Sequence, residues 1–272
     1  MANWLRTFLA LALLFSGFAS AWANSQTTAL LEAAIASYQK AQATTDNDAR
    51  AAQFNVAARQ FLAATEHRPN NPKLWTNVGT SALQAEQTGL AVLAFRRALA
   101  LDPNDKRASQ NLEVARGRLP EWMPKPSTSG TFSDVFFWHH SLSNTERRLI
   151  GATFFALGAL LLAVAIRWRV SWMRTAAWVP AIGWLAIMGS AAVHWIDNDV
   201  AHAVVTVDST PARASDSQNA PIRFREPLSG GVEVEIVDTR GTWTRVRLAN
   251  GLEAWVVASA VTLVSTNAKE TP

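Results

Sequence analysis

The sequence predicts a multidomain membrane protein in three parts: an all-α array of repeated helices, a transmembrane helical hairpin and a small all-β barrel. Three observations carry this prediction. Residues 149–196 hold two uncharged apolar runs separated by a short basic turn. Upstream of them, small and aromatic residues recur at a 34-residue interval. Downstream of Val200 the apolar period changes from helical to alternating.

The hairpin organises the rest. Leu149 to Ile166 is eighteen residues without a charge, a helix of roughly 27 Å, close to the hydrocarbon core of a bilayer. Ala176 to Ile196 is a second apolar run of spanning length. Between them, 167–175 carries Arg167, Arg169 and Arg174 and no acid. Short basic loops are retained in the cytoplasm, so both flanking regions are expected on the opposite face. Trp138, Trp168, Trp172, Trp178 and Trp195 fall at the two expected interfaces, and Pro180 is a candidate kink. Neither span carries a charge at its centre, which argues against a pore or transport element.

Residues 1–23 read as a signal peptide: Arg6, an apolar core from Phe8 to Phe15, then Ala21-Trp22-Ala23 before the cleavage point. An uncleaved anchor helix is the alternative, and either one exports the next segment. Residues 24–119 are expected to be helical. From Pro72 to Asp105, Trp75, Val78, Gly79 and Ala82 share one helix face, Thr88-Gly89 breaks the chain, and Ala91, Phe95 and Ala98 share the face of a second helix that Pro103 ends. Thirty-four residues earlier, Ala57, Phe61, Ala64 and Pro69 occupy the positions of Ala91, Phe95, Ala98 and Pro103. Lys106 to Leu119 adds one further helix. The pattern resembles the tetratricopeptide repeat, about two and a half copies in five helices. In physical terms, small Gly79, Ala82, Ala91 and Ala98 allow two helices to approach, and Trp75 and Phe95 fill the gaps. A generic helical bundle is the alternative.

Residues 120–142 are rich in Pro, Ser and Thr and read as a linker with little to bury, ending in an interfacial aromatic segment. Ser143 to Glu146 is a capping box opening the first span. After the second span, 203–265 reads as about five short strands: Ala203–Val207, a polar loop at Thr210–Ala220, then Val232, Val234 and Ile236 alternating with Glu233 and Glu235, and Thr244, Val246 and Leu248 alternating with Trp243, Arg245 and Arg247. Asn250-Gly251 is expected to form a type I′ turn. The run from Gly241 to Val264 resembles bacterial SH3-type domains, with Ala254 where that family usually has glycine, and implies a small SH3-like barrel. Residues 266–272 form a polar tail.

Charge and motif content exclude several functions. The pI is about 9.9, yet residues 24–130 carry 12 Lys+Arg against 9 Asp+Glu and 200–272 carry 7 against 8. No basic patch is concentrated enough for nucleic acid. Cysteine is absent, which removes disulfides, thiolate metal sites and cysteine nucleophiles. No phosphate-binding glycine loop, H-E-x-x-H or G-x-S-x-G is present. No catalytic residue, cofactor or metal ligand is therefore assigned. His139, His140, His194 and His202, with Asp197 and Asp199, are expected near one membrane face as interfacial residues, with a metal or haem site as the alternative.

The candidate partner-binding residues are Asn77, Ser81, Gln84 and Asn111 on the inner helices. They are neutral and so unsuited to a carboxylate clamp. Trp243, Arg245 and Arg247 form a candidate ligand patch on the barrel, with a Trp243 packed under the 210–220 loop as the alternative and Trp255 expected in the core. The order of modules resembles the BatE-type proteins of aerotolerance operons. That resemblance implies a periplasmic, inner-membrane-anchored interaction protein associated with von Willebrand A-domain membrane proteins, a BatD-like partner and a MoxR-type ATPase. The expectation is a non-enzymatic adaptor that binds other membrane or periplasmic proteins. The alternative is an envelope tether whose barrel binds peptidoglycan.

Overall fold

The computed structural model describes residues 27–126, 144–168, 171–197 and 201–265. The expected signal peptide 1–23, most of the linker and the tail 266–272 lie outside the described residues, as do His139, His140, Asp199 and the side chains of His194 and Asp197.

The N-terminal part is helical, α1 (27–43), α2 (Asn47–His67), α3 (Pro72–Gln84), α4 (Thr88–Leu101) and α5 (Lys106–Gly117). Polar residues that free backbone N–H groups can bond set three of the starts. The Asp46 carboxylate accepts from Ala49 N at 2.8 Å, Asn71 from Leu74 N at 3.2 Å, and Asp105 from Arg107 N and Ala108 N at 3.0 Å. Pro72 occupies the first turn of α3, where its missing N–H costs nothing. The sequence placed the α3–α4 break at Thr88-Gly89. The break lies earlier: Gln87 N donates to Ala82 O and Glu86 N to Leu83 O, a Schellman closure with Glu86 at φ 61°. Thr88 and Gly89 open α4 instead.

Packing follows the small-residue pattern. The Phe95 ring lies on Gly79, so close that a Cβ there would be 2.6 Å from Phe95 Cε1. Tyr38 meets Phe54 edge-on at 5.1 Å between α1 and α2. Helices α3 and α5 run side by side in the same direction. Thr76 lies 2.7 Å from Asp105 Oδ2, Asn111 Nδ2 donates to Thr80 Oγ1 at 3.3 Å, and Arg118 Nη1 donates to Leu83 O at 2.6 Å.

The C-terminal part is a five-stranded antiparallel sheet of β1 (Ala201–Val205), β2 (Glu233–Arg240), β3 (Trp243–Leu248), β4 (Glu253–Val257) and β5 (Val261–Leu263), ordered β4-β3-β2-β1-β5. A 3₁₀ turn at Ala258–Ala260 leads into β5. The sheet is open at β4 and β5, not closed as a barrel. Its β4 edge is covered by Arg213, which exchanges both backbone bonds with Trp255. The expected polar loop is thus an ordered arm: Thr210 pairs with Leu228 and Arg213 with Ile222. Between β3 and β4 the expected type I′ turn is replaced. Gly251 N donates to Leu248 O, Gly251 has φ 81° and Asn250 does not have positive φ. This is a three-residue loop with glycine in the left-handed bulge position.

The two parts share their cores. On β1, Ala203 and Val205 face the sheet's own core, while Val204 joins Val92 and Phe95 in the helical core, with Val264 beside it. In the other direction Met123, expected in a free linker, is buried in the sheet core with Leu228 and Val246. The linker expectation fails for residues 120–123 because a long, flexible apolar side chain there reaches an apolar site.

Between these parts lie α6 (Asn144–Trp168), α7 (Ser171–Ala176) and α8 (Trp178–Asp197). Helices α6 and α8 pair antiparallel, Gly151 against Ile187, Phe154 against Gly183 and Gly158 against Pro180. Gly158 accommodates the Pro180 ring, and Pro180 sits in the first turn of α8, where a missing N–H leaves the helix intact. The expected basic loop 167–175 is itself largely helical. Among the described residues one stretch, Arg148–Trp168, is long and apolar enough to cross a membrane by length and composition. Leu149, Phe155, Leu160 and Ile166 on α6 and Val179, Ile182 and Leu185 on α8 are exposed.

Gly79→Ala is expected to destabilise the protein by about 1–3 kcal/mol, since the methyl must displace the buried Phe95 ring; a thermal melt of the purified chain checks it. Glu86→Gly is expected to stabilise by up to about 1 kcal/mol by relieving left-handed backbone at a position that favours glycine, read by the same melt.

Candidate functional site

The free face of the helical part is built from matching rows on α3 and α5. Asn77, Thr80 and Gln84 recur at helical spacing on α3, and Asn111, Val114 and Arg118 continue the same spacing on α5 and just past its end. Thr80–Asn111 and Leu83–Arg118 hydrogen bonds hold the rows together. Gln84 is exposed and Asn77 half-buried. Val114 is 54% exposed, unusual for an aliphatic side chain on a helix whose other face is packed.

Two predicted partner-binding residues behave otherwise. Ser81 is completely buried, its Oγ without a hydrogen-bond partner, so it does not face a partner. It lies one position past Thr80, about 100° round the helix from the α5-facing row and on the side away from Gly79, which meets α4. Asn111 is half-buried and spends an amide N–H on Thr80. Of the residues expected to define the repeat, Trp75, Gly79, Ala91, Phe95 and Ala98 are buried, and Pro103 lies in the α4–α5 turn. Trp75 Nε1 donates to Pro69 O at 2.7 Å, and the Arg97 guanidinium stacks 4.7 Å from its ring centroid.

Asp105 fixes the α3–α5 register. Burial acts to raise its pKa, but Thr76 and the Ala108 and Arg107 amides outweigh it and hold the carboxyl below the ordinary 3.8. The signal for this residue was present: Asn71 and Asp105, the caps of α3 and α5, stand 34 residues apart.

The proposed ligand patch on the sheet is a closed charge network. Arg247 bonds Glu253 at 2.7 Å and lies 3.4 Å from Glu235. Arg245 lies 3.7 Å from Glu253 and 3.9 Å from Asp238, and Arg240 lies 3.0 Å from Asp238 and 3.7 Å from Asp216. These arginines are already paired, so the patch offers no free cation for an anionic ligand. Trp243 is half-buried at the start of β3. The tryptophan under the arm is Trp255. It is absent from the sheet core and lies instead on the other face, with Arg240 5.1 Å and Arg245 5.8 Å from its ring centroid.

The deepest charged cluster joins the two parts. Glu233 is 8% exposed and holds Arg116 through two bonds, Nε to Oε2 at 2.8 Å and Nη2 to Oε1 at 3.0 Å. Arg96 Nε lies 3.0 Å from Oε1, out of line for a hydrogen bond. For Arg116, burial opposes the charge, but Glu233 and then Glu113 outweigh it and raise its pKa. Arg97 donates to Leu263 O and Val264 O at the end of β5, covering that edge. Sequence reasoning read Glu233 as a solvent-facing strand residue, because alternation is blind to a second packing face.

Among the described residues no three of His, Asp and Glu gather as a metal-ligand group, and His202 is exposed on β1. Comparison with family models, curated proteins and solved structures finds no match to this chain.

Asp105→Ala is expected to cost about 1 kcal/mol at pH 7, as a lost helix cap. A depressed carboxylate stabilises above its unfolded pKa and loses that contribution as pH falls through the folded value. The stability difference between the two proteins is therefore expected to shrink as pH falls below about 4; chemical denaturation across pH 2–7 checks it.

Proposed function

We propose that this chain is a non-enzymatic adaptor of the bacterial envelope. In this reading it is anchored in the inner membrane by the α6–α8 hairpin, with tetratricopeptide-type helices and an SH3-like domain on the periplasmic side. One observation carries the reading: Arg116 before the hairpin and Glu233 after it form a buried ion pair. A chain that enters a membrane between these residues must return to the same face, so it crosses an even number of times. The antiparallel α6–α8 pair, with its exposed apolar residues, provides such an excursion.

Other features support the finer reading. Helices α3 and α5 run parallel with caps 34 residues apart, the relation between successive tetratricopeptide repeats. An SH3-type domain agrees with the strand order, the long arm between β1 and β2 and the 3₁₀ turn before β5. The α3–α5 face is the partner surface, with a von Willebrand A-type membrane protein as the proposed partner. Paired arginines on the sheet give the peptidoglycan-tether alternative no support from that patch.

The full-length protein, purified from membranes in mild detergent, is expected to retain a von Willebrand A-type membrane protein. Gln84→Arg with Val114→Arg is expected to reduce recovery at least tenfold while leaving the thermal melt unchanged. Recovery of no such protein, or undiminished recovery by the double variant, rejects the proposal.

A further inference from the structure

Among the described residues, helix α5 is a first helix without its pair. In the α3–α4 unit, α4 covers the side of α3 that would otherwise expose Val78, Gly79 and Ala82. After α5 the chain turns away at Arg118, and among the described residues no further helix packs on α5 in the array. Arrays of this kind leave an apolar flank at the last unit, which a capping element must cover.

The sheet stands where that cover is needed. Thr88, Gly89, Val92 and Arg96, spaced along one face of α4, meet it directly. Gly89 is the point of closest approach: a Cβ there would lie 2.8 Å from Thr206 O. Gly231, at φ 102°, fits against Thr88, Val92 and Leu119, and a Cβ would be 3.0 Å from Thr88 Cγ2. Val204 and Val264 complete the helical core, and Met123 returns the exchange by filling the sheet core. Arg116, on the last helix, is neutralised by Glu233 of the sheet. A glycine at backbone contact, a second glycine packed under side chains, apolar side chains traded in both directions and a buried ion pair mark a fixed interface; transient domain contacts are more polar.

We infer that the C-terminal sheet is the terminal cap of the helical array, supplied from beyond the membrane hairpin and seated on α4 and α5. The sheet acts on the array itself: it completes the core of α4 and α5 and stops further repeats from stacking. Docking covers the β5 edge through Arg97, while the β4 edge is covered by the sheet's own arm. The surface left for a partner is the α3–α5 face. The cap requires only that the two parts lie on one side, and it stands whether or not the adaptor reading holds.

The test uses the full chain purified and reconstituted without other proteins, with a specific protease site introduced between residues 128 and 135. After cleavage the helical fragment is expected to stay on the vesicles through its contact with the sheet. Gly89→Leu, which inserts a side chain against Thr206, and Glu233→Arg, which sets three cations together, are each expected to raise its release at least tenfold. Release of the fragment from the otherwise unsubstituted protein overturns the inference. Hydrogen exchange separates capping from mere attachment: α4 and α5 amides are expected to exchange at least tenfold faster in uncleaved Gly89→Leu, while α1 and α2 change little. Unchanged exchange in α4 and α5, with the sheet displaced, overturns it as well. Neither readout involves a partner protein, so failure here is distinct from failure of the pull-down.

Discussion

Glu233 between Arg116 and Arg96 is the contact on which the arrangement of the soluble parts depends. A carboxylate this buried is costly to desolvate, and its guanidinium partner is as deeply enclosed. Such a pair adds little net stability over an apolar contact. It gives a penalty for misplacement, because loss of either partner leaves a buried charge with only its secondary neighbour, Arg96 for Glu233 or Glu113 for Arg116. The apolar exchange of Val204, Val264 and Met123 supplies the driving force, and the ion pair selects one docking geometry among the many that apolar surfaces allow.

That geometry constrains the α6–α8 hairpin. The residues joined by the ion pair are separated by α6, α7 and α8, so whatever the hairpin does it must begin and end on one face. Gly151, Gly158 and Gly183 let its two helices approach through a phenylalanine, an isoleucine and a proline. Outward, the same helices show leucine, isoleucine, valine and tryptophan. A helix pair apolar on the outside and packed through small residues on the inside fits a lipid environment, where close packing replaces the hydrophobic effect as the cause of association. Only the three residues 198–200 separate α8 from β1, at most about 11 Å of extended chain. The sheet, and the array docked on it, therefore stay close to the end of the hairpin.

Much was legible in the residues alone. Helix positions, the small-residue contacts at Gly79 and Ala91, the strands after Ala201 and the antiparallel apolar hairpin follow from local periodicity and side-chain volume. Errors arose where one residue serves two surroundings. Thr88-Gly89 reads as a helix break because glycine and threonine are poor helix formers; its glycine is present so that another backbone can come close. Met123 reads as linker because prolines flank it. Trp243 and Trp255 exchange roles because alternation gives the face of a strand and not what lies over that face. The continuous run Ala203-Val204-Val205 did carry a signal: a strand without alternation is buried on both sides.

By itself the sequence determined the local elements and the order of three differently patterned segments, since the 3.6-residue, two-residue and unbroken apolar periods are written within each segment. The tertiary structure alone decided that the first and third segments share their cores. It turned the apparent ligand arginines Arg245 and Arg247 into one closed charge network and Ser81 into a buried residue. Glu233, in appearance an outward strand residue, became the centre of the interface. For the shared cores and for Glu233 the physical reason is dependence on pairings between residues more than one hundred positions apart, such as Arg116 with Glu233 and Arg97 with Leu263. No local period encodes them.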